Sequence, residues 1–305
     1  MNSFEAAARS GERSPLQLAE RAAWEGPHPA PATPRPRRRR AAILLRAYRP
    51  RQWSKNVLVL AAPAAAGVID RPLVIAQVAA TFVALCLLSS ATYLFNDVRD
   101  REHDRLHPRK RLRPVAAGEI APRQAIAIAV ATALAGLGLA SAVDWKVGAI
   151  GCCYLALTAS YSLWWRGVVV LDILVIAAGF VLRALAGGVA TDIYLSRWFV
   201  IVTGSCAVFV VAAKRYAELR EHSGAQPARA TLRRYSLRSL RLTLTAAAAV
   251  AAVAYVSWAV TRPQNVPLYV LSAVPFLALL ARYGSLIAAG AGQAPEDLLH
   301  DRGLL

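Results

Sequence analysis

The sequence predicts an all-α fold, a polytopic membrane helix bundle with eight to nine transmembrane helices, and three observations predict it. The 305 residues are 56% hydrophobic with a mean hydropathy of +0.39, above the roughly 45–50% apolar share of a soluble domain. The excess is gathered into windows almost free of charge, such as Pro72–Phe95, Gln124–Val143 and Val168–Ala190, each about the 20 residues that a helix needs to cross ~30 Å of hydrocarbon. The net charge of +18 lies between these windows, as the positive-inside rule requires.

From the N-terminus, residues 1–40 are rich in Ala, Pro and Arg, lack apolar periodicity and end in the run Arg37, Arg38, Arg39, Arg40. They predict a disordered basic cytoplasmic tail, without the apolar core of a signal peptide. Residues 41–305 form the membrane domain. Its spans are expected at 56–69, 72–95, 123–143, 146–164, 168–190, 197–213, 242–261 and 266–281. A ninth, near Ser285–Ala291, is too short to place. The tail, the loop Arg99–Arg123, the turn at Arg166 and the loop Lys214–Arg241 are basic and therefore cytoplasmic. The alternate connections hold only Asp70 and Arg71, Asp144 and Lys146, Asp192 and Arg197, and Arg262. The expected location is the cell membrane, the inner or plasma membrane, with the active site facing the cytoplasm.

The charge distribution argues against nucleic acid, because no basic patch is interleaved with aromatics on a soluble module. It suits anionic lipid heads and phosphorylated substrates. Cys86, Cys152, Cys153 and Cys206 lie in apolar stretches without CxxC spacing, so neither a disulfide framework nor a zinc ribbon is expected.

The second span ends in Asn96-Asp97-Val98-Arg99-Asp100-Arg101-Glu102-His103-Asp104. On a continuing helix Asp97, Asp100 and Asp104 share one face, and three carboxylates there repel unless a cation neutralises them. Mg²⁺ fits, because it takes oxygen ligands and is commonly shared between carboxylates and substrate phosphates. The candidate metal site is Asn96, Asp97, Asp100 and Asp104. The alternative is a solvated helix end paired with Arg99, Arg101 and Arg105. His103 and His107 are four apart, but no further Cys or His completes a zinc set.

The loop His107–Gly118 carries Lys110, Arg111 and Arg113, which suit the phosphates of a metal-bound substrate and also mark topology. Ahead of the first span, Trp53 is an interfacial anchor, and Lys55 either snorkels to lipid heads or reaches a phosphate. In the fifth span Asp172 and Arg183 are eleven residues apart and share a face; they look into a cavity or form a structural polar contact. Tyr161 and Arg166 stand at the cytoplasmic approach. The sixth span ends with Lys214 and Glu218 at i and i+4, which serve either a surface ion pair or a site.

An NDxxDxxxD motif closing the second span, followed by a basic loop and six further spans, resembles the UbiA superfamily of membrane prenyltransferases over about residues 46–290. The resemblance implies a bundle of nine spans with two polar motifs around a Mg²⁺-bound diphosphate. Where prenyl-transferring members carry further aspartates, this sequence reads Lys214-Arg215-Tyr216-Ala217-Glu218. With Arg49-Pro50-Arg51-Gln52-Trp53-Ser54-Lys55-Asn56 and Ala178-Gly179-Phe180-Val181-Leu182-Arg183-Ala184, it looks like the decaprenyl-phosphate phosphoribosyltransferase branch. That branch moves 5-phosphoribose from phosphoribosyl diphosphate to a polyprenyl phosphate in cell-wall arabinan synthesis. The resemblance implies that Lys214 and Arg215 serve the phosphate charge of the donor. The competing expectations are a prenyltransferase acting on an aromatic acceptor and a transporter with a charged cavity.

Overall fold

The computed structural model describes residues 37–165, 168–221, 234–261 and 266–288. The chain divides between Ala42 and Ile43, and every described site residue lies in the second unit. The described residues contain helices and no strand. In chain order they are α1 (Arg37–Tyr48), a 3-10 helix (Pro50–Leu60), α2 (Ala61–Ala65), α3 (Pro72–Arg99), α4 (Arg101–Leu106), a 3-10 turn (Lys110–Leu112), α5 (Pro122–Val143), α6 (Trp145–Ser160), a π-turn (Tyr161–Trp165), α7 (Val169–Ala190), α8 (Arg197–Glu221), α9 (Leu237–Val260), α10 (Val266–Leu271) and α11 (Ala273–Ala288). Seven described segments are long and apolar enough to cross a bilayer: Pro72–Arg99, Pro122–Val143, Trp145–Trp165, Val170–Ala190, Arg197–Arg220, Leu237–Val260 and Val266–Ile287. The chain is a multi-pass membrane protein.

Local chemistry sets the helix starts. Pro72 and Pro122 occupy first-turn positions, where a missing N–H is harmless and the ring presets φ. The Asp144 carboxylate caps α6 by accepting from the Lys146 amide at 2.7 Å, and the Ser236 hydroxyl caps α9 by accepting from the Ser239 amide at 3.0 Å. The expected first span, 56–69, is instead broken into the 3-10 helix and the five residues of α2. Pro63 has no N–H to extend the i→i−4 ladder back from α2, and the buried Asn56 side chain is tied to neighbouring helices. In the other direction, α8 runs on past the expected end at residue 213 to Glu221. The cations Lys214 and Arg215 do not end it, because Arg215 turns inward onto a carboxylate.

Helix α3 is the spine. Leu85 and Leu88 on it pack with Val59, Ala140, Val147, Tyr154 and Ala186 from the surrounding elements, while Leu94 near its end joins Ile43, Ala47, Val115 and Ala129. Hydrocarbon supplies no hydrophobic force between helices, so close approach and polar bonds hold such a bundle together. Gly187 shows how close: a Cβ there would stand 1.9 Å from the Val59 carbonyl oxygen. Exposed Leu73, Ile75, Val130, Leu134, Leu242 and Val253 face outward, as lipid-facing positions do.

Because successive spans alternate in direction, the end of α3, the start of α7, the end of α8 and the start of α9 belong to one membrane face. Direct bonds from Arg215 and Tyr235 to Asp172 join the last three.

Candidate functional site

Two charged clusters form at that face. The first is built where α3 stops. Asp100 lies between the two helices, closing α3 as its C-cap and opening α4 as its N-cap, and the short α4 brings Asp104 back beside Asp97. Both carboxylates are buried, at 1% and 3% exposure. Arg113, from the basic loop, donates from one Nη to both, at 2.5 Å to Asp104 Oδ2 and 3.3 Å to Asp97 Oδ1. Arg49 donates to the same Asp97 oxygen and lies over the Tyr93 ring, 5.0 Å from its centroid. Two carboxylates are thus neutralised by two guanidinium groups, as burial demands. Burial works to lower the Arg49 pKa, against the Asp97 charge that raises it.

Arg49 reaches Asp97 from a left-handed backbone, φ 54° and ψ 63°, sparsely populated by residues with a Cβ and held only where the surroundings enforce it. Asp97 Oδ2 and Asn96 Oδ1 are buried and have no hydrogen-bond partner among the described residues. Among those residues no three His, Cys, Asp or Glu side chains stand together as a complete metal site. A pair of carboxylates with spare oxygens is nonetheless the donor set of a Mg²⁺ ion that takes its other ligands from phosphate and water. The residues therefore fit a metal that arrives with a phosphorylated substrate. Asp100 stands apart from the Arg113 bridge, facing Arg99 at 3.4 Å.

The second cluster surrounds Asp172, 3% exposed, near the start of α7. Arg215 of α8 grips it through Nε to Oδ2 at 2.6 Å and Nη2 to Oδ1 at 3.1 Å, and gives its remaining Nη1 to Glu218 at 2.8 Å. The Tyr161 hydroxyl donates to Asp172 Oδ1, and Tyr235 donates at 3.4 Å. Burial, then the Asp172 charge, pushes the Tyr235 hydroxyl above its ordinary range, so it stays a donor at neutral pH. Arg215 is engaged by two carboxylates of the protein itself, and Glu218 pairs with Arg215 at i+3 and not with Lys214 at i+4. Both spacings are helix neighbours, and the bidentate pull of Asp172 decides between them. Lys214 makes no ion pair among the described residues.

Arg183 sits elsewhere. Eleven residues along α7 from Asp172 it is about 16 Å deeper, 6% exposed, and its donors go to Asn56 Oδ1 at 2.7 Å, the Gly179 carbonyl at 2.6 Å and the Tyr154 hydroxyl at 2.9 Å. Its guanidinium also lies 4.7 Å from the Tyr154 ring centroid. The charge is held entirely by neutral groups and joins the first 3-10 helix, α6 and α7. Of the remaining predicted residues, Lys55 donates to Gln52 at 2.5 Å, Lys110 is half-buried and Arg111 exposed, and Arg166 lies outside the described residues. Trp53 does more than anchor at the interface, since its indole donates to Ser90 at 3.1 Å. Arg49, Asn56, Tyr154 and Tyr235 were not singled out from the sequence. Arg49 and Asn56 bound the stretch that carries the branch resemblance, and a polar Asn56 among apolar neighbours was a further signal; neither Tyr154 nor Tyr235 carried one.

The UbiA prenyltransferase family model matches residues 56–299. A decaprenyl-phosphate phosphoribosyltransferase of Corynebacterium glutamicum is 41% identical over 266 residues, 84% of this chain and 80% of that protein. Its namesake from Mycobacterium tuberculosis is 40% identical over 269 residues, 86% of this chain and 89% of that protein. Among solved structures, a UbiA homolog from Archaeoglobus fulgidus bound to GPP and Mg²⁺ superposes with a TM-score of 0.64 at 17% identity, covering 81% of this chain and 96% of that one. At that identity the likeness concerns the fold. From the matched family model and the relatives sharing two fifths of its residues, the chain belongs to the UbiA prenyltransferase family.

Proposed function

We propose that the protein transfers 5-phosphoribose from phosphoribosyl diphosphate to decaprenyl phosphate or a similar polyprenyl phosphate, releasing diphosphate with Mg²⁺, to supply cell-wall arabinan synthesis. The observation that carries the reading is the buried Asp97–Asp104 pair, with an orphaned Asp97 oxygen, flanked by Arg49 and Arg113. The names of the 40–41% identical relatives support it. The site faces the cytoplasm of the cell membrane, on the side where the basic connections lie.

Asp97 and Asp104, with Asn96, would hold the metal, and Asp100 completes the carboxylate set at its edge. When bound, the metal neutralises the leaving diphosphate and so favours an oxocarbenium-like ribose carbon. Arg113 and Arg49 stand where planar guanidinium groups can grip phosphate oxygens. Lys110, Arg111 and Lys214 add cations for a donor that also carries a 5-phosphate, and Lys55 stands on the segment that supplies Arg49. In the transfer, the bond from ribose C1 to diphosphate breaks and one from C1 to an acceptor phosphate oxygen forms. A phosphate monoester has a second pKa of about 6, so the acceptor is already dianionic and needs no strong base. The Asp172–Arg215–Glu218 cluster with Tyr161 fixes α7 against α8 beside this chemistry, and Arg183 fixes the bundle beneath it.

Donor choice tests the reading. Purified protein given labelled phosphoribosyl diphosphate, Mg²⁺ and polyprenyl phosphate should put label into lipid. Prenylation of an aromatic acceptor from a prenyl diphosphate, with phosphoribosyl diphosphate inert, would replace it with a prenyltransferase reading.

A further inference from the structure

A groove of about 520 Å³ lies between α8, α9 and α11. Its mouth is formed by Tyr216, Arg241 and Ile287, and its walls descend past Phe209, Ala252 and Leu277. The three walls agree in direction, and two of them in depth. Arg241 to Ala252 is eleven residues along α9, about 16 Å of rise; Ile287 back to Leu277 is about 15 Å; Tyr216 back to Phe209 is about 10 Å. The groove therefore starts at the membrane face that holds both charged clusters and reaches about half-way through ~30 Å of hydrocarbon.

Among the described residues, Arg241 is the one charged residue lining it. That side chain is exposed and donates to the Tyr216 hydroxyl at 3.3 Å; Tyr216 itself follows Arg215, the residue that grips Asp172. Below the mouth the wall of α9 narrows to alanines, Ala248, Ala249 and Ala252. One cation above a long apolar slot matches an amphiphile with one anionic head and one unbranched backbone of hydrocarbon. A lone cation deep in lipid is costly, whereas at a helix end beside water it pairs with an anionic head.

We propose that this groove binds the acceptor, with the phosphate of a polyprenyl phosphate at Arg241 and Tyr216 and its first isoprene units along Ala248, Ala252 and Leu277. The assignment rests on the phosphoribosyl-transfer reading for its choice of ligand. It adds a place for the acceptor separate from the carboxylates that take the donor.

The test uses the full chain in nanodiscs with a photoactivatable polyprenyl phosphate, followed by transfer kinetics with a long and a short prenyl phosphate. Crosslinking should label the peptide containing Ala248–Ala252 and fall about tenfold in Arg241→Ala, as the loss of a charge-assisted contact predicts. Ala252→Trp fills the slot from its half-buried α9 wall. It should raise KM for the long acceptor about tenfold, while a short acceptor of one isoprene unit, which ends well above residue 252, and the donor keep their KM. Ala249→Trp, at an exposed position, repeats the measurement with less risk to folding. Label landing elsewhere, or an unchanged long-chain KM in both tryptophan variants, overturns the groove assignment. Wild-type protein that crosslinks in the groove yet makes no product supports the groove and overturns the transfer reading instead.

Discussion

Arg215→Ala separates a structural cation from a substrate-binding one. Arg215 is 4% exposed and holds Asp172 through two bonds of 2.6 and 3.1 Å. Truncation leaves a carboxylate at 3% exposure with, among the described residues, the Tyr161 and Tyr235 hydroxyls to solvate it. Breaking one side of a buried pair costs about 3–5 kcal/mol, which for a domain of this size is a fall in Tm on the order of 10 °C. The double variant Asp172→Leu/Arg215→Met removes both charges and should recover most of that loss, because an apolar replacement of a buried pair is close to neutral. Thermal melts of the wild type, Arg215→Ala, the component variants Asp172→Leu and Arg215→Met, and the double variant in one detergent complete the cycle. If Arg215→Ala melts with the wild type and only the donor KM rises, Arg215 serves the donor phosphate and the structural account of the cluster fails.

Asp97→Ala and Asp100→Ala should abolish turnover while the protein still inserts and melts cooperatively; near wild-type activity in either sinks the metal-site assignment. Gly187→Ala should destabilise by about 3 kcal/mol, the upper range for overpacking, since its Cβ would meet the Val59 backbone oxygen. Gly138→Ala, with nothing within 4 Å of its Cβ, should gain about 0.5–1 kcal/mol of helix stability; equal melting temperatures for the two variants would contradict the packing described here. A chain starting near Ala41 should insert and keep its activity, and loss of all transfer in that shortened protein would assign the N-terminal segment a role in the chemistry.

The membrane bundle was legible because hydropathy is a property of contiguous windows, and seven of the eight expected spans coincide with described helices of spanning length. The segment 56–69 was not, since a 3-10 path held by Asn56 and interrupted at Pro63 has the same composition as a span. The carboxylate motif was legible for the same reason as the spans: Asp97 and Asp104 are near neighbours on one stretch of chain. The fate of Arg215 was not. A cation at a span end reads alike whether it awaits a phosphate or a carboxylate, and its partner Asp172 lies 43 residues away. Arg183 follows the same logic, with Asn56 at a separation of 127 residues. Helical spacing correctly put Asp172 and Arg183 on one buried face, but face says nothing of depth, and about 16 Å of helix separates their tasks.

The central claim is that the Asp97–Asp104 end of α3 carries phosphoribosyl transfer. The most direct measurement follows a donor labelled in both ribose and diphosphate, with polyprenyl phosphate as acceptor, across a Mg²⁺ titration in wild type and Asp97→Ala. The account predicts ribose label entering lipid and diphosphate label entering water in equal amounts, rising with Mg²⁺ in the wild type and absent in the variant. Diphosphate release without lipid labelling, or equal lipid labelling by the variant, would contradict it.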